Sequence, residues 1–218
     1  NITIDVEVLD PEMFESVTLG YEYMVMAVPA SFEVNDRMKQ YQISREAILN
    51  RSFLDDSVPA VDLSLVAKEP FLMLKKHHDA YRRSMDICAH SGFEPNIVMS
   101  FDQLQTAYNV ARSGQTGIIF FRDGLLKYTE NTEKLCYYKL GDPLAKRAIL
   151  LTMKRYPGVG PTVDDFIKYL MLAKKQRGWI PTAYLSKYIV SGEKRLEQNS
   201  VPGAFRLSPI SICLYIHI

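Results

Sequence analysis

The sequence predicts an α/β fold built around an open, mostly parallel β-sheet. Three short runs have the apolar, β-prone character of strands, at residues 71–74, 96–99 and 117–121. Two segments in which apolar residues recur at helical spacing, 79–91 and 100–113, separate these runs. Strand, helix, strand, helix, strand with tight connections is typical of right-handed βαβ units. Such sheets bind their ligands beyond the carboxyl ends of the strands.

Composition places the chain among ordinary soluble globular proteins. It has 218 residues, with 26 Lys and Arg against 25 Asp and Glu, and 47% of its residues are hydrophobic. That length allows one large domain or two small ones, and the charge balance excludes a polyanion binder. No apolar run approaches the ~20 residues of a spanning helix, so no membrane association is expected. Three widely separated cysteines indicate neither a disulfide framework nor a structural zinc site.

Both ends of the chain are unusual. Residues 2–8 alternate as a strand from the start, with neither an initiating methionine nor a signal peptide, which predicts a cytoplasmic fragment of a longer protein. From Met171 onward, seven Lys and Arg stand against two Glu, a net charge of +5. This segment has no recognisable nucleic-acid reader and supports at most weak, salt-sensitive adhesion. Residues 179–218 are treated as an extension to which no function is assigned.

In the first half of the chain the predicted elements are short. Asp10-Pro11 breaks the first strand, and residues 22–28 read as a second strand that Pro29 closes. A helix is predicted around residues 44–51, because Ser44 can cap its first turn.

The βαβ segment carries boundary signals of its own. Gly92 stands where a glycine would end the helix 79–91. Ser100 and Gln103 have the spacing of a capping box, in which the Ser100 hydroxyl accepts from the Gln103 amide and the Gln103 side chain returns to the Ser100 amide. Ser113-Gly114 ends the helix that this box opens.

After the third strand, the pattern predicts four further elements. They are a short helix at 124–128, strands at 134–140 and 147–154, and a helix at 163–176 that Arg177-Gly178 terminates.

A candidate ligand site follows from the edge of this sheet. Lys75 and Lys76 come directly after one strand, beside the start of a helix whose free amides attract anions, and would suit a carboxylate. Hydroxyl and amide groups at the end of the next strand could orient a small polar ligand. The predicted site comprises Lys75, Lys76, Ser100, Phe101, Gln103 and Thr106. The alternative is structural: two solvated lysines in a turn, and capping by Ser100 and Gln103.

Other chemistries find less support in the sequence. His77-His78 could be read as a metal site, but adjacent helix residues do not face one another and no carboxylate recurs at a ligand spacing, so no metal is expected. Ser100, one of these histidines and Asp102 could be read as the catalytic triad of a hydrolase, but no G-x-S-x-G elbow surrounds Ser100. Gly114 and Gly117 lie after a helix, whereas a phosphate-binding loop precedes one. No catalytic residue and no cofactor are predicted.

Ordered landmarks from residue 61 to residue 170 resemble the effector-binding domain of LysR-type transcriptional regulators. They are VDLSLVAKEPFLMLKK (61–76), GFEPNIVMSFDQLQTAYNVARSGQTGIIFF (92–121) and RAILLTMKR with TVDDFIKYL (147–155 and 162–170). EYMVMAVP (22–29) is similar to the family's crossover strand, so the resemblance covers about residues 2–170. It implies a fold like that of type 2 periplasmic binding proteins, with two Rossmann-like α/β lobes and an incomplete subdomain I. The implied parts are 1–18 (end of subdomain I), 19–140 (subdomain II), 141–178 (return to subdomain I) and the extension 179–218.

The resemblance implies a non-enzymatic sensor. A small-molecule effector would bind between the lobes, with a carboxylate as the class that the lysines favour. DNA would be contacted only through a helix-turn-helix domain that has no counterpart in this chain, and the full-length regulator would be a homo-oligomer. Two alternatives share the fold: a solute-binding protein, which would carry a signal peptide, and a small α/β enzyme, which would need a reactive residue at the cleft.

Overall fold

The computed structural model describes residues 2–6, 8–114, 116–155 and 165–167. The chain divides into two compact units, Asn1–Gly20 with Ala148–Ile218, and Tyr21–Arg147. Of the predicted helix 163–176 only residues 165–167 are described, and they are helical. The extension 179–218 lies outside the described residues.

Besides the helical residues 165–167, eight strands and four α-helices lie in the described part of the chain. The strands are β1 (Ile2–Asp5), β2 (Phe14–Pro29), β3 (Gln42–Ile43), β4 (Pro70–Leu74), β5 (Asn96–Phe101), β6 (Ile118–Arg122), β7 (Leu135–Lys139) and β8 (Lys146–Lys154). The α-helices are α1 (Val34–Met38), α2 (Arg45–Leu49), α3 (Asp79–His90) and α4 (Leu104–Arg112). Short 3₁₀ helices lie at Lys39–Tyr41, Ser52–Leu54, Leu63–Val66, Asp123–Tyr128 and Pro143–Ala145. None of the described helices is long and apolar enough to cross a membrane.

Most boundary signals are confirmed. The Ser44 side chain accepts from the Ala47 amide and caps α2. Gly92 and Gly114 have positive φ angles of 83° and 96° just after α3 and α4, a conformation that glycine adopts without steric cost. The second strand is longer than expected, since β2 begins at Phe14 rather than near residue 22.

The first unit is built on an antiparallel sheet. Strand β8 lies between β1 and β2, and β1 pairs with β8 antiparallel. Val17, Leu151 and Ile167 belong to the small apolar core of this unit. The Ser16 and Thr152 hydroxyls are 2.8 Å apart and share one hydrogen bond.

The second unit contains the predicted βαβ segment. Its strands lie in the order β3, β7, β2, β6, β4, β5. Strand β4 pairs in parallel with both β5 and β6, so the predicted adjacency of these three strands is confirmed. The parallel arrangement is limited to them, because β2 is antiparallel to both β6 and β7. The sheet of this unit is therefore mixed, and the βαβ pattern in the sequence describes only its three parallel strands.

Both faces of this sheet are covered. Phe71 and Met73 of β4 belong to one apolar cluster together with Ile87 of α3. Leu72, between them, belongs to a second cluster together with Tyr108 of α4. Successive side chains of a strand point to opposite faces, so α3 and α4 cover opposite sides of the sheet. The continuous apolar run at 71–74 is therefore explained by burial on both faces.

The described cysteines have the character expected of core residues rather than reactive groups. Cys88 and Cys136 are free thiols. Burial raises the pKa of the Cys88 thiol to about 12, so the thiolate is scarce at neutral pH. Cys213 lies outside the described residues.

Gly117 gives a test of the contact between β4 and β6. A Cβ at this position would lie 2.9 Å from the Pro70 carbonyl oxygen, a backbone atom that can move only if the two strands separate. Gly117→Ala is therefore expected to lower the free energy of unfolding by about 1–3 kcal/mol in urea titrations. At Gly124 a Cβ would meet nothing within 4 Å. Gly124→Ala is the matched control, and equal losses in both variants would contradict the steric explanation.

Candidate functional site

The ends of β4 and β5 bring one part of the predicted site together. The parallel register pairs Leu74 with Phe101, the last residue of each strand. The Lys75 amide then donates to the Phe101 carbonyl oxygen at 2.9 Å. The residues that follow the two strands, Lys75 and Asp102, are therefore neighbours at the carboxyl edge of the sheet, where the sequence predicted Lys75 to lie.

An ion pair joins the first residues beyond this edge. The Lys75 Nζ atom lies 2.7 Å from Asp102 Oδ2, and the side chains are 50% and 63% exposed. The hydrogen bond from Lys75 holds the pKa of the Asp102 carboxyl below its usual range, and the nearby charges of Lys75, His77 and His78 act in the same direction. This edge therefore presents an ionised carboxylate among cationic and imidazole groups.

The other predicted residues are less closely connected. Lys76, Ser100, Gln103 and Thr106 are exposed, and Phe101 is half-buried against the cluster that contains Tyr108. Among the described residues, no hydrogen bond or ion pair links the side chains of Lys76, Ser100, Gln103 and Thr106 to other side chains. The structure thus brings Lys75 and Phe101 together and leaves the other four exposed: Ser100 in β5, Lys76 and Gln103 in the loops after β4 and β5, and Thr106 in the first turn of α4.

The predicted capping box is wrong. Ser100 lies within β5, where it pairs with Met73 of β4, and this pairing holds it in the ladder instead of at a helix start. Helix α4 begins at Leu104, and its N-cap Gln103 makes no side-chain capping bond. The strand before Ser100 is also not buried, since Val98 and Met99 of this edge strand are 49% and 46% exposed. The capping alternative for Ser100 is therefore removed.

His77 and His78 lie in a turn rather than on a helix. The His78 amide donates to the Lys75 carbonyl oxygen at 3.0 Å, and α3 begins only at Asp79. The two imidazole rings lie with their centroids 4.1 Å apart. One ligand atom from each of His77, His78 and Asp102 lies within 4.8 Å of the others. The sequence argument against a metal site assumed that the two histidines lie on a helix, which is wrong. Asp102 reaches them from the loop after β5, although it has no ligand spacing to them in the sequence.

A buried ionic network, which sequence reasoning missed, lies at the same end of the sheet. Glu22 of β2 accepts from Arg83 of α3 at 3.2 Å and from Arg147 of β8 at 2.6 Å. Arg147 also pairs with Asp79, the first residue of α3. Arg83 donates further to the Leu144 carbonyl oxygen at 2.7 Å. Burial lowers the pKa of the Arg83 guanidinium, as does Arg147, while Glu22 raises it.

The end of β6 is fixed by a second buried carboxylate. Asp123, 5% exposed, accepts from the Tyr23 amide at 3.2 Å and from Arg51 Nε at 3.1 Å. Arg51 has a left-handed φ of 64° and also donates to the Tyr21 carbonyl oxygen at 2.9 Å. Arg51 and Tyr23 are 72 and 100 residues from Asp123 in the chain, so no local sequence motif marks this group.

Comparison with solved structures shows the class of fold. The regulatory domain of CcmR from Synechocystis PCC6803 in complex with 2-PG has a TM-score of 0.62 at 11% identity, covering 80% of this chain and 73% of that one. The BenM effector-binding domain with its effector benzoate has a TM-score of 0.55 at 19% identity, covering 81% and 70%. The fold is that of the effector-binding domains of LysR-type regulators, similar to type 2 periplasmic binding proteins.

Sequence comparison shows the family. Residues 2–173 match the LysR substrate binding domain. The chain therefore belongs to the LysR substrate-binding domain family. An uncharacterized HTH-type transcriptional regulator of Bacillus subtilis (strain 168), YcgK, is 26% identical over 108 residues, which are 49% of this chain. The match covers 32% of the length of that relative.

Proposed function

We propose that this chain is the effector-binding part of a LysR-type transcriptional regulator and that it binds a small molecule, with a carboxylate as the favoured class. The family match over residues 2–173 is the observation that carries the proposal. Two similar structures hold small molecules, benzoate in BenM and 2-PG in CcmR. The effector would shift the population between two conformations of the regulator in proportion to its preference for one of them.

The edge at β4 and β5 supports a carboxylate as ligand. Lys75 already holds one carboxylate, that of Asp102, in an exposed ion pair. A ligand carboxylate can take the place of Asp102 at the same ammonium group. Lys76 is exposed next to Lys75. The loop that contains both lysines leads into the 12-residue helix α3, whose first backbone amides attract anions. We place the effector against Lys75, Lys76, Ser100, Phe101, Gln103 and Thr106.

The remaining parts of the proposal concern the longer protein. Residues 1–18 and 141–178 would belong to subdomain I, and residues 19–140 to subdomain II. The division of the chain into two compact units supports this assignment. The regulator would act in the cytoplasm as a homo-oligomer, would bind DNA through a helix-turn-helix domain and would have no enzymatic activity. The coding sequence upstream of Asn1 separates this proposal from a solute-binding protein, because the former requires a helix-turn-helix and the latter a signal peptide.

A ligand screen tests the proposed site. Small carboxylates are screened by thermal shift on the 218-residue chain, and hits are measured by calorimetry. Lys75→Ala and Thr106→Ala are each expected to weaken the affinity for a hit by about tenfold or more, because a hydrogen bond to a charged group is worth about 1.5–3 kcal/mol. Thr106 is exposed on α4, so its truncation should change stability little.

Lys68→Ala is the matched control for Lys75→Ala. Lys68 is also exposed but precedes β4, at the opposite end of the strand from Lys75. Its truncation should leave the affinity unchanged. Unchanged affinity in both Lys75→Ala and Thr106→Ala would move the site elsewhere.

A further inference from the structure

We infer that His77, His78 and Asp102 form a binding site for a divalent transition-metal ion of the zinc class. The inference is independent of the proposed effector function, because it depends only on these three side chains. One ligand atom of each lies within 4.8 Å of the others. Two imidazoles and one carboxylate are a donor set that zinc accepts, with a fourth position left to water or another ligand.

Backbone hydrogen bonds bring these three side chains together. The Lys75 amide bonds to the Phe101 carbonyl oxygen, which aligns the chain after β4 with the chain after β5. The His78 amide bonds back to the Lys75 carbonyl oxygen and closes a turn. Both histidines therefore stand beside Asp102, the residue directly after β5. Because the backbone of both loops is fixed in this way, the metal ion need order only side chains.

One of these three residues also has a ring nitrogen whose bonding capacity is unused. His78 Nε2 is buried from solvent and has no hydrogen-bond partner. A buried polar atom without a partner is costly, and coordination of a metal ion by Nε2 would give this nitrogen the partner that it lacks. At the position between these three side chains an anion is a poorer occupant than a cation, because it would lie against the Asp102 carboxylate; a ligand carboxylate at Lys75 would instead take the place of Asp102.

Ligand chemistry favours zinc over magnesium or calcium. Hard cations take mainly oxygen ligands, whereas imidazole suits zinc and its transition-metal neighbours. Zinc holds nitrogen and oxygen ligands at about 2.0–2.2 Å, so donor atoms around a tetrahedral ion are about 3.3–3.6 Å apart. Side-chain rotations would have to bring the present spacing to that range, and His77 and Asp102 are exposed, so their side chains have room to rotate.

Lys75 competes with the metal ion for Asp102. Its ammonium group lies 2.7 Å from Asp102 Oδ2, and a bound cation would have to displace it or share the carboxylate with it. Removing the ammonium should therefore strengthen metal binding. The same change should weaken the binding of a carboxylate effector, so the two kinds of ligand respond in opposite directions.

Calorimetric titration of the untagged 218-residue chain with Zn²⁺ tests the inference. We expect one ion per chain at this site, and His77→Ala, His78→Ala and Asp102→Asn should each weaken its binding by about tenfold or more, since loss even of an outer-shell partner costs about 10–100-fold. Lys75→Met should strengthen it. Mg²⁺ should not compete. Co²⁺ bound in place of Zn²⁺ should show a visible absorption spectrum that the three weakened variants lose.

His90→Ala is the matched control. His90 lies at the other end of α3, where its Nδ1 pairs with Asp142 at 2.7 Å. Its removal should leave the zinc affinity within twofold of the parent value. Circular dichroism establishes that each variant is folded before titration. Absence of Zn²⁺ binding, or a loss in His90→Ala equal to that in His77→Ala and His78→Ala, would overturn the inference.

Discussion

Glu22→Gln is expected to lower the free energy of unfolding by about 3 kcal/mol, near the lower end of the range for breaking one partner out of a buried ion pair. Glu22 is 8% exposed and pairs with both Arg83 and Arg147. Glutamine has the same shape but no charge, so two guanidinium groups would remain in a poorly hydrated environment. Asp79 still pairs with Arg147, which keeps the loss from being larger. Urea unfolding followed by circular dichroism measures the effect.

Arg82→Met provides the control from the same helix. Arg82 stands next to Arg83 in the sequence and pairs with Asp79, but its side chain is 73% exposed. Exposed ion pairs contribute little, so this variant should change stability by no more than about 0.5 kcal/mol. If Glu22→Gln has an effect as small as that of Arg82→Met, the network is accessible to water and does not constrain α3 against β2.

This ionic network shows one limit of sequence reasoning. The residue pairs Arg83–Glu22 and Arg147–Glu22 are separated by 61 and 125 positions, and no local pattern connects them. The βαβ segment was predictable for the opposite reason. Its strands, helices and glycine stops lie within about fifty consecutive residues, where the periodicity of apolar side chains reports the local structure directly.

The candidate site was predictable only in part. Lys75 could be placed at the sheet edge because it follows an apolar run that ends at Leu74. Ser100 was misplaced because the same four residues satisfy a capping-box pattern and the end of a strand. In the structure Ser100 pairs with Met73, so it belongs to the strand and not to a helix cap. That pairing depends on the register of the sheet. Local propensity cannot determine a register that another strand imposes.

The histidine pair shows a different kind of error. The sequence places His77-His78 next to a helix, and adjacent residues on a helix point in different directions. The turn before α3 removes that restriction, and Asp102 reaches the pair from the neighbouring loop. Loops at the carboxyl edge are where distant segments meet in such folds, so groupings of ligands there appear only once the strand order is known.

Phe71→Ala is expected to lower the free energy of unfolding by about 3–5 kcal/mol, the usual cost of removing a fully buried aromatic ring. Phe71 is 0% exposed in the middle of the parallel strands. Its ring lies 6.0 Å from that of Phe93 and 5.8 Å from that of Phe120, the latter in an edge-to-face arrangement. The neighbours belong to β6 and to the loop before β5, so they cannot close the cavity without moving elements on both sides of β4. Chemical denaturation with fluorescence and circular dichroism measures the loss.

Tyr128→Ala removes a ring of similar size from a position that is 80% exposed. Little apolar surface leaves water at that position on folding, so the change in stability should stay within about 0.5 kcal/mol. The two variants together separate ring burial from a general effect of aromatic deletion. Equal and small losses would mean that β4 is not packed on both faces. The inference from its continuous apolar run would then fail, and with it the placement of Lys75 at the end of a buried strand.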